Sequence, residues 1–150
     1  MSEREGVDPS TTAVPPQGAY LPAVVHGGWA WTAGMTPRRH GELVVTGVVG
    51  RDVDMAAARE AAGLAADNAV TALVEAVGLA GIDRVVKMTV FIAAVEGFTA
   101  HSAVADGASA VLRERLGARG AVARSAVGVR TLPSGAPVEV ELVAAVTQPS

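Results

Sequence analysis

Residues 54–78, DMAAAREAAGLAADNAVTALVEAVG, constrain this chain more than any other stretch. Met55, Ala58, Ala62, Ala65, Ala69, Leu73 and Ala76 recur at steps of three and four, which predicts a helix with an apolar stripe of mostly small side chains. Asp54 stands where an N-cap is wanted and Gly78 where a helix stops. A stripe of alanines suits a helix that lies closely on a sheet. Asn68, on the same helix, is read as a packing or surface residue rather than a functional amide.

The strands for such a sheet lie on both sides of the helix. Residues 23–26 and 29–33 are β-branched or aromatic runs joined by Gly27-Gly28, a tight hairpin signal. A polar loop, Arg38-Arg39-His40-Gly41, precedes a third strand over 42–49. Its two arginines could grip an anion at a site mouth, but a solvated turn is the preferred reading. Residues 85–93 form a strand with Lys87 and Thr89 on one face and Val86, Met88, Val90 and Ile92 on the other. A second helix over 98–116 ends at 117–120. Strands over 125–129 and 138–146 flank a turn at Leu132-Pro133-Ser134-Gly135. The order ββ(β)αβαββ predicts an α+β fold, a mixed β-sheet with two helices on one face. The opposite sheet face is too rich in Val, Ala and Leu for open solvent, so it is expected to be buried against other subunits in a closed ring.

A length of 150 residues fits one domain. Residues 1–16, rich in Pro, Ser and Thr, read as a flexible N-terminal arm, and 17–150 as a single domain. The arm has no apolar core of a signal peptide, and no run of about twenty apolar residues suggests a membrane span. A net charge of −3 with two Trp, one Tyr and two Phe offers neither a basic field nor a stacking platform, which argues against nucleic acid as partner. The absence of cysteine excludes thiol nucleophiles and Cys-zinc sites and agrees with a cytoplasmic setting. His26, His40 and His101 lack ligand spacing, so no metal is expected.

The chemistry concentrates near the C-terminus, in ARSAVGVRTLPSGAPVEVELVAAV, residues 123–146. Glu139 and Glu141 share one strand face with Val143. They are either the wet side of an amphipathic strand or, since Val143 and Ala145 continue the same face, partly desolvated carboxylates with raised pKa suited to acid–base work near neutral pH. Arg124 either ties strands together or clamps a substrate carboxylate through two parallel hydrogen bonds. His101 on the second helix is read as a surface residue before an auxiliary acid or base. Arg130 is placed at the cleft rim, and Gly34 either admits a ligand to the strand backbone or marks a bulge.

The run Ala123-Arg124-Ser125-Ala126-Val127, then Leu132-Pro133 with Gly135, then Val138-Glu139-Val140-Glu141 resembles the C-terminal signature of the RidA (YjgF) family of enamine/imine deaminases. Gln17-Gly18-Ala19-Tyr20, Trp31-Thr32-Ala33-Gly34 and Val86-Lys87-Met88-Thr89-Val90-Phe91 match further family segments, so the resemblance spans roughly 17–146. It implies a chorismate-mutase-like fold and a homotrimer whose sheets form a central barrel, with sites in clefts between subunits. It also implies roles, and chemistry without a cofactor. Arg124 would clamp the carboxylate of a small 2-imino acid, Glu139 would position the attacking water, the backbone at Ala126 would bond substrate or water, and Tyr20 would close the cleft.

The departures from the family pattern bear on substrate. Ala33 stands where many active members carry serine, Met35 where glutamine is common, and Ser102 where an asparagine often contributes. With Gly34, these positions line the expected binding site and make it more apolar or roomier. The expected activity is hydrolytic deamination of a carboxylated imine or enamine to a 2-keto acid and ammonia. The alternatives are a trimeric small-molecule binding or sensing protein without turnover, and a dedicated biosynthetic enzyme acting on an imine intermediate.

Overall fold

A computed structural model describes residues 16–147. The arm expected over 1–16 lies, but for Pro16, outside the described residues. Strands β1 (Ala23–His26) and β2 (Trp29–Thr32) form the expected hairpin. Both turn glycines have left-handed φ, +59° at Gly27 and +82° at Gly28, the conformation that lets a two-residue turn follow the strand twist.

The helix α1 spans Met55–Val77. Asp54 Oδ1 accepts from the Ala57 backbone N–H at 2.8 Å, a cap whose loss would cost about 1 kcal/mol. Ala58, Ala62, Ala65, Ala69 and Leu73 are fully buried as the stripe predicts, whereas Ala76 is exposed. In the last turn the packed face passes from Leu73 to Val74 and Val77, which contact the core, rather than to Ala76.

Strand β5 (Ile82–Ala93) leads through helix α2 (His101–Leu116) to β6 (Ala123–Val129), and β7 (Val138–Val146) closes the chain. The sheet order is β1-β2-β7-β5-β6, with β5/β6 parallel and every other neighbouring pair antiparallel. The parallel pair needs a crossover, and α2 supplies it. Both helices pack on the same sheet face and against each other. Where they cross, Gly107 of α2 rests on the backbone carbonyl of Arg59 and Gly63 of α1 faces Gly107. The sequence-level α+β architecture is the observed one.

Two local readings change. A register shift between Val85 and Lys87 places Val85, not Val86, in the core beside Met88, Val90 and Ile92. The third strand is short. Residues Arg38–Arg39 (β3) pair with Glu42–Leu43 (β4), and the chain then leaves extended pairing. Gly47 at φ +120° turns it back, because the Asp52 side chain fills the space a Cβ would need and its Oδ2 accepts from Val48 N–H at 2.9 Å. Arg38 is therefore no solvated turn residue: at 8 % exposure it is buried, while Arg39 is exposed.

The second sheet face carries Val24, Trp29, Trp31 and Val127, each more than 40 % exposed. Val24, Trp29 and Trp31 lie together on the β1–β2 hairpin, an unusual amount of apolar area to leave in water. Among the described residues no helix is long and apolar enough to cross a membrane.

Candidate active site

Glu139 lies on β7 opposite Phe91 of β5, and Glu141 lies opposite Thr89. Cross-strand partners share a face, so both carboxylates project from the sheet face that the helices leave open. Glu139 is half-buried and reaches over Gly34. A Cβ on Gly34 would come within 2.5 Å of Glu139 Oε1, so the glycine serves space rather than backbone conformation. The contact that Gly34 makes room for is the Glu139 side chain, and Gly34 also lines the cleft beside it.

Burial, and then the charge of Glu141, push the Glu139 carboxyl above the usual carboxylate range. Glu141→Gln removes the second of these causes. The Glu139 titration followed by carboxyl NMR should move to lower pH in that variant, and an unmoved titration would make burial the whole cause.

Tyr20, Gly34, Met35, Thr36, Arg38, Ser134 and Glu139 share one cleft of about 60 Å³. The phenol oxygen of Tyr20 accepts from the Gln17 N–H at 3.1 Å, which sets the ring at the cleft edge. Asn68 of α1 supports the opposite wall. Its Nδ2 donates to the carbonyls of Thr36 (3.1 Å) and Arg38 (3.0 Å), so its role is structural, as its position on the helix suggested. Ala33 adjoins the cleft segment, with its N–H committed to the Pro22 carbonyl at 2.8 Å.

Arg124 stands elsewhere. It pairs with Met88, which pairs with Leu142, so its side chain leaves the sheet on the helix side. There Nη1 donates to Asp106 Oδ1 (2.9 Å) and Ser109 Oγ (2.8 Å), and Nη2 to Ser102 Oγ (2.7 Å) and the Ser102 carbonyl (3.3 Å). Nε–H makes no hydrogen bond among the described residues. The Ser102 carbonyl contact is the longest of the four, so the Nε/Nη2 edge is the least engaged part of the guanidinium. Ala126 follows on the same face of β6, opposite Val90.

The expected residues thus fall into two groups on opposite faces of the sheet: Tyr20, Gly34 and Glu139 on one, Ser102, Arg124 and Ala126 on the other. One chain does not bring Arg124 to Glu139. Asp106 and Ser109 escaped the sequence reading. With Ser102 they recur at i, i+4 and i+7, a polar stripe on α2 that the helical period could have revealed.

Comparison with known proteins adds what the geometry leaves open. The profile of the family described as Endoribonuclease L-PSP matches residues 10–146. The chain belongs to this family.

Among its relatives of known structure, Atu1372 from Agrobacterium tumefaciens is 38% identical, with a TM-score of 0.84 over 89% of this chain and 86% of that one. The YjgF gene product of E. coli is 28% identical, with a TM-score of 0.66 over 90% of this chain and 94% of that one. Protein TCP17 of Trypanosoma cruzi is 35% identical over 131 residues, 86% of this chain and 82% of that protein. The RidA (YjgF) resemblance is therefore a family relationship across the whole domain.

Proposed function

We propose that this RidA-family protein hydrolyses a carboxylated 2-imino acid or its enamine to a 2-keto acid and ammonia, in a site that two subunits complete. The family assignment supports hydrolytic deamination of imine or enamine intermediates as the reaction class. The observation that carries the site is the half-buried Glu139, held over Gly34 with its pKa raised, in a cleft bordered by Tyr20.

A protonated imine is already electrophilic, so the protein has to orient it, hold one water and move protons. Glu139 takes a proton as the water oxygen bonds to the imine carbon. The proton then passes to nitrogen, the C–N bond breaks, and ammonia leaves as the carbonyl forms. Iminium acid and water in, keto acid and ammonium out, the step balances without an oxidant. Arg124 of a neighbouring subunit clamps the substrate carboxylate, Ala126 offers backbone polar groups beside it, Ser102 holds the guanidinium, and Tyr20 covers the cleft. Ala33 makes that cleft less polar than a serine would.

The two faces of the sheet support this division. Arg124 and Glu139 leave opposite faces of one sheet, and the open face bears Trp29 and Trp31 half exposed. A homotrimer with its sheets around a central barrel covers that face and sets one subunit's Arg124 against the next one's Glu139. A net charge of −3 gives RNA no overall basic field to follow, which sets an endoribonuclease reading behind the deaminase one.

The test generates 2-iminobutanoate with an amino-acid oxidase and follows the semicarbazone that competes with hydrolysis. Wild type should suppress semicarbazone formation, and Arg124→Ala should raise KM at least about tenfold, the scale of a lost charge-assisted pair. Acceleration that survives Arg124→Ala removes the clamp assignment. No acceleration by wild type favours a trimeric binding or sensing protein, a reading in keeping with an Arg124 whose Nη1 and Nη2 are already held by Ser102, Asp106 and Ser109.

A further inference from the structure

Among the described residues Arg38 is the cation that its surroundings account for least. It is 8 % exposed, and the described ion pairs of the chain are Arg51–Asp52, Arg115–Asp67 and Arg124–Asp106. A buried guanidinium without a carboxylate is costly, because neutral acceptors return only part of the lost hydration. Its partners are neutral: Nε donates to Thr36 Oγ1 at 3.1 Å and Nη1 to the Gly41 carbonyl at 2.8 Å. Nη2 makes no hydrogen bond among the described residues. No side-chain nitrogen sealed from water lacks a partner there, so Nη2 faces space that water or a ligand enters. Arg38 borders the cleft of Tyr20, Gly34 and Glu139, and it forms no ion pair with Glu139.

The position is built. Asn68, on α1, bonds the carbonyls of Thr36 and Arg38 and so fixes the backbone from which the guanidinium projects. Arg38 also holds itself by closing the β3–β4 turn onto Gly41. What remains is one open donor edge, a fixed positive charge, and a cleft of about 60 Å³, roughly twice the volume of a water molecule and enough for a carboxylate group.

We propose that Arg38 binds an anionic group of the ligand in the Glu139 cleft, so that the natural substrate is a dicarboxylic imine: one carboxylate for Arg124, the second for Arg38. This rests on the reading of the Glu139 cleft as one half of the active site. It gives the site a selectivity that Arg124 alone does not, since a single clamp accepts any 2-imino acid of suitable size.

The experiment uses keto acids as probes, so that binding is read without turnover. Isothermal titration of the intact protein compares 2-oxobutanoate with 2-oxoglutarate. Wild type should bind 2-oxoglutarate about tenfold more tightly or better, the value of one charge-assisted contact. Arg38→Gln should abolish that preference, lowering 2-oxoglutarate affinity about tenfold more than 2-oxobutanoate affinity. Arg38→Lys, which keeps the charge but not the fork, should retain part of it. Equal affinities in wild type, or a preference that survives Arg38→Gln, overturn the proposal. Loss of both probes together in both variants assigns Arg38 to holding the turn, and overturns it too. A dicarboxylate preference without imine turnover would strike the deaminase reading alone; turnover without the preference would strike this one alone.

Discussion

Glu139→Gln should lower kcat for 2-iminobutanoate hydrolysis by about 10²- to 10⁴-fold, the range for removal of a positioned general base, with KM changed little. Glutamine keeps the shape that fits over Gly34 and loses the proton acceptor. The fold should not suffer. Burial and Glu141 raise the Glu139 pKa in the folded state, so between its unfolded and folded titrations the native protein holds the extra proton. Its contribution to stability is therefore greatest below the unfolded pKa and declines as pH rises through the folded one. At neutral pH glutamine escapes that penalty, and thermal melts should find the variant at least as stable as wild type.

The same variant tests whether two subunits share a site. Assayed with substrate well below KM, Arg124→Ala and Glu139→Gln chains, each strongly impaired alone, should reach about a quarter of wild-type turnover when refolded together in equal amounts, since that fraction of random neighbours pairs an intact Arg124 with an intact Glu139. If both groups acted within one chain, mixing would restore nothing. That result would end the proposed division of the site, given that Arg124 and Glu139 project from opposite sheet faces in a single chain.

Gly107→Ala should cost the largest share of stability of any single methyl added to this fold. In an isolated helix the change helps by about 1 kcal/mol, because alanine loses less backbone freedom. Here the added Cβ lands on the Arg59 carbonyl of the facing helix, where no rotamer relieves it. Separating α1 from α2 enough to clear it opens the packing of Ala62, Ala66 and Ala108. Overpacking of this kind costs about 3 kcal/mol, which outweighs the propensity gain by about 2 kcal/mol and lowers Tm by roughly 4 to 8 °C. Gly63→Ala is the graded comparison. Its Cβ would meet Val111 Cγ2 at 3.2 Å and the Gly107 carbonyl at 3.3 Å, so a few tenths of an ångström suffice and the melt should move far less. A Gly107→Ala protein that melts at or above the wild-type temperature would show that the helices do not approach as described.

Periodicity made the architecture legible. The alanine steps of α1, the Asp54 cap, the Gly27-Gly28 turn and the alternation along 138–146 each follow from a rule that needs only near neighbours in the chain. Glu139 and Glu141 were legible as a pair for the same reason. The failures share a cause as well. Val86 lost its place in the core to Val85 through a register shift that depends on β7, and the strand expected over 42–49 gave way to a turn held by Asp52. Asp106 and Ser109 were readable as a stripe but not as partners of Arg124, because β6 is distant from them in sequence and reaches them only through the crossover.

By itself, then, the order of residues determined the elements, their apolar faces and the pair of carboxylates, since those rest on local geometry and on alternation within one strand. Tertiary structure alone decided that Arg38 is buried and Arg39 is not, that Gly34 makes room for Glu139, and that Arg124 and Glu139 leave opposite sides of the sheet. Burial and cross-strand register are properties of what a residue is packed against. In this chain the deciding partners lie tens of residues away: Asn68 bonds the backbone at Arg38, β7 brings Glu139 over Gly34, and β5 sets the face on which Arg124 emerges.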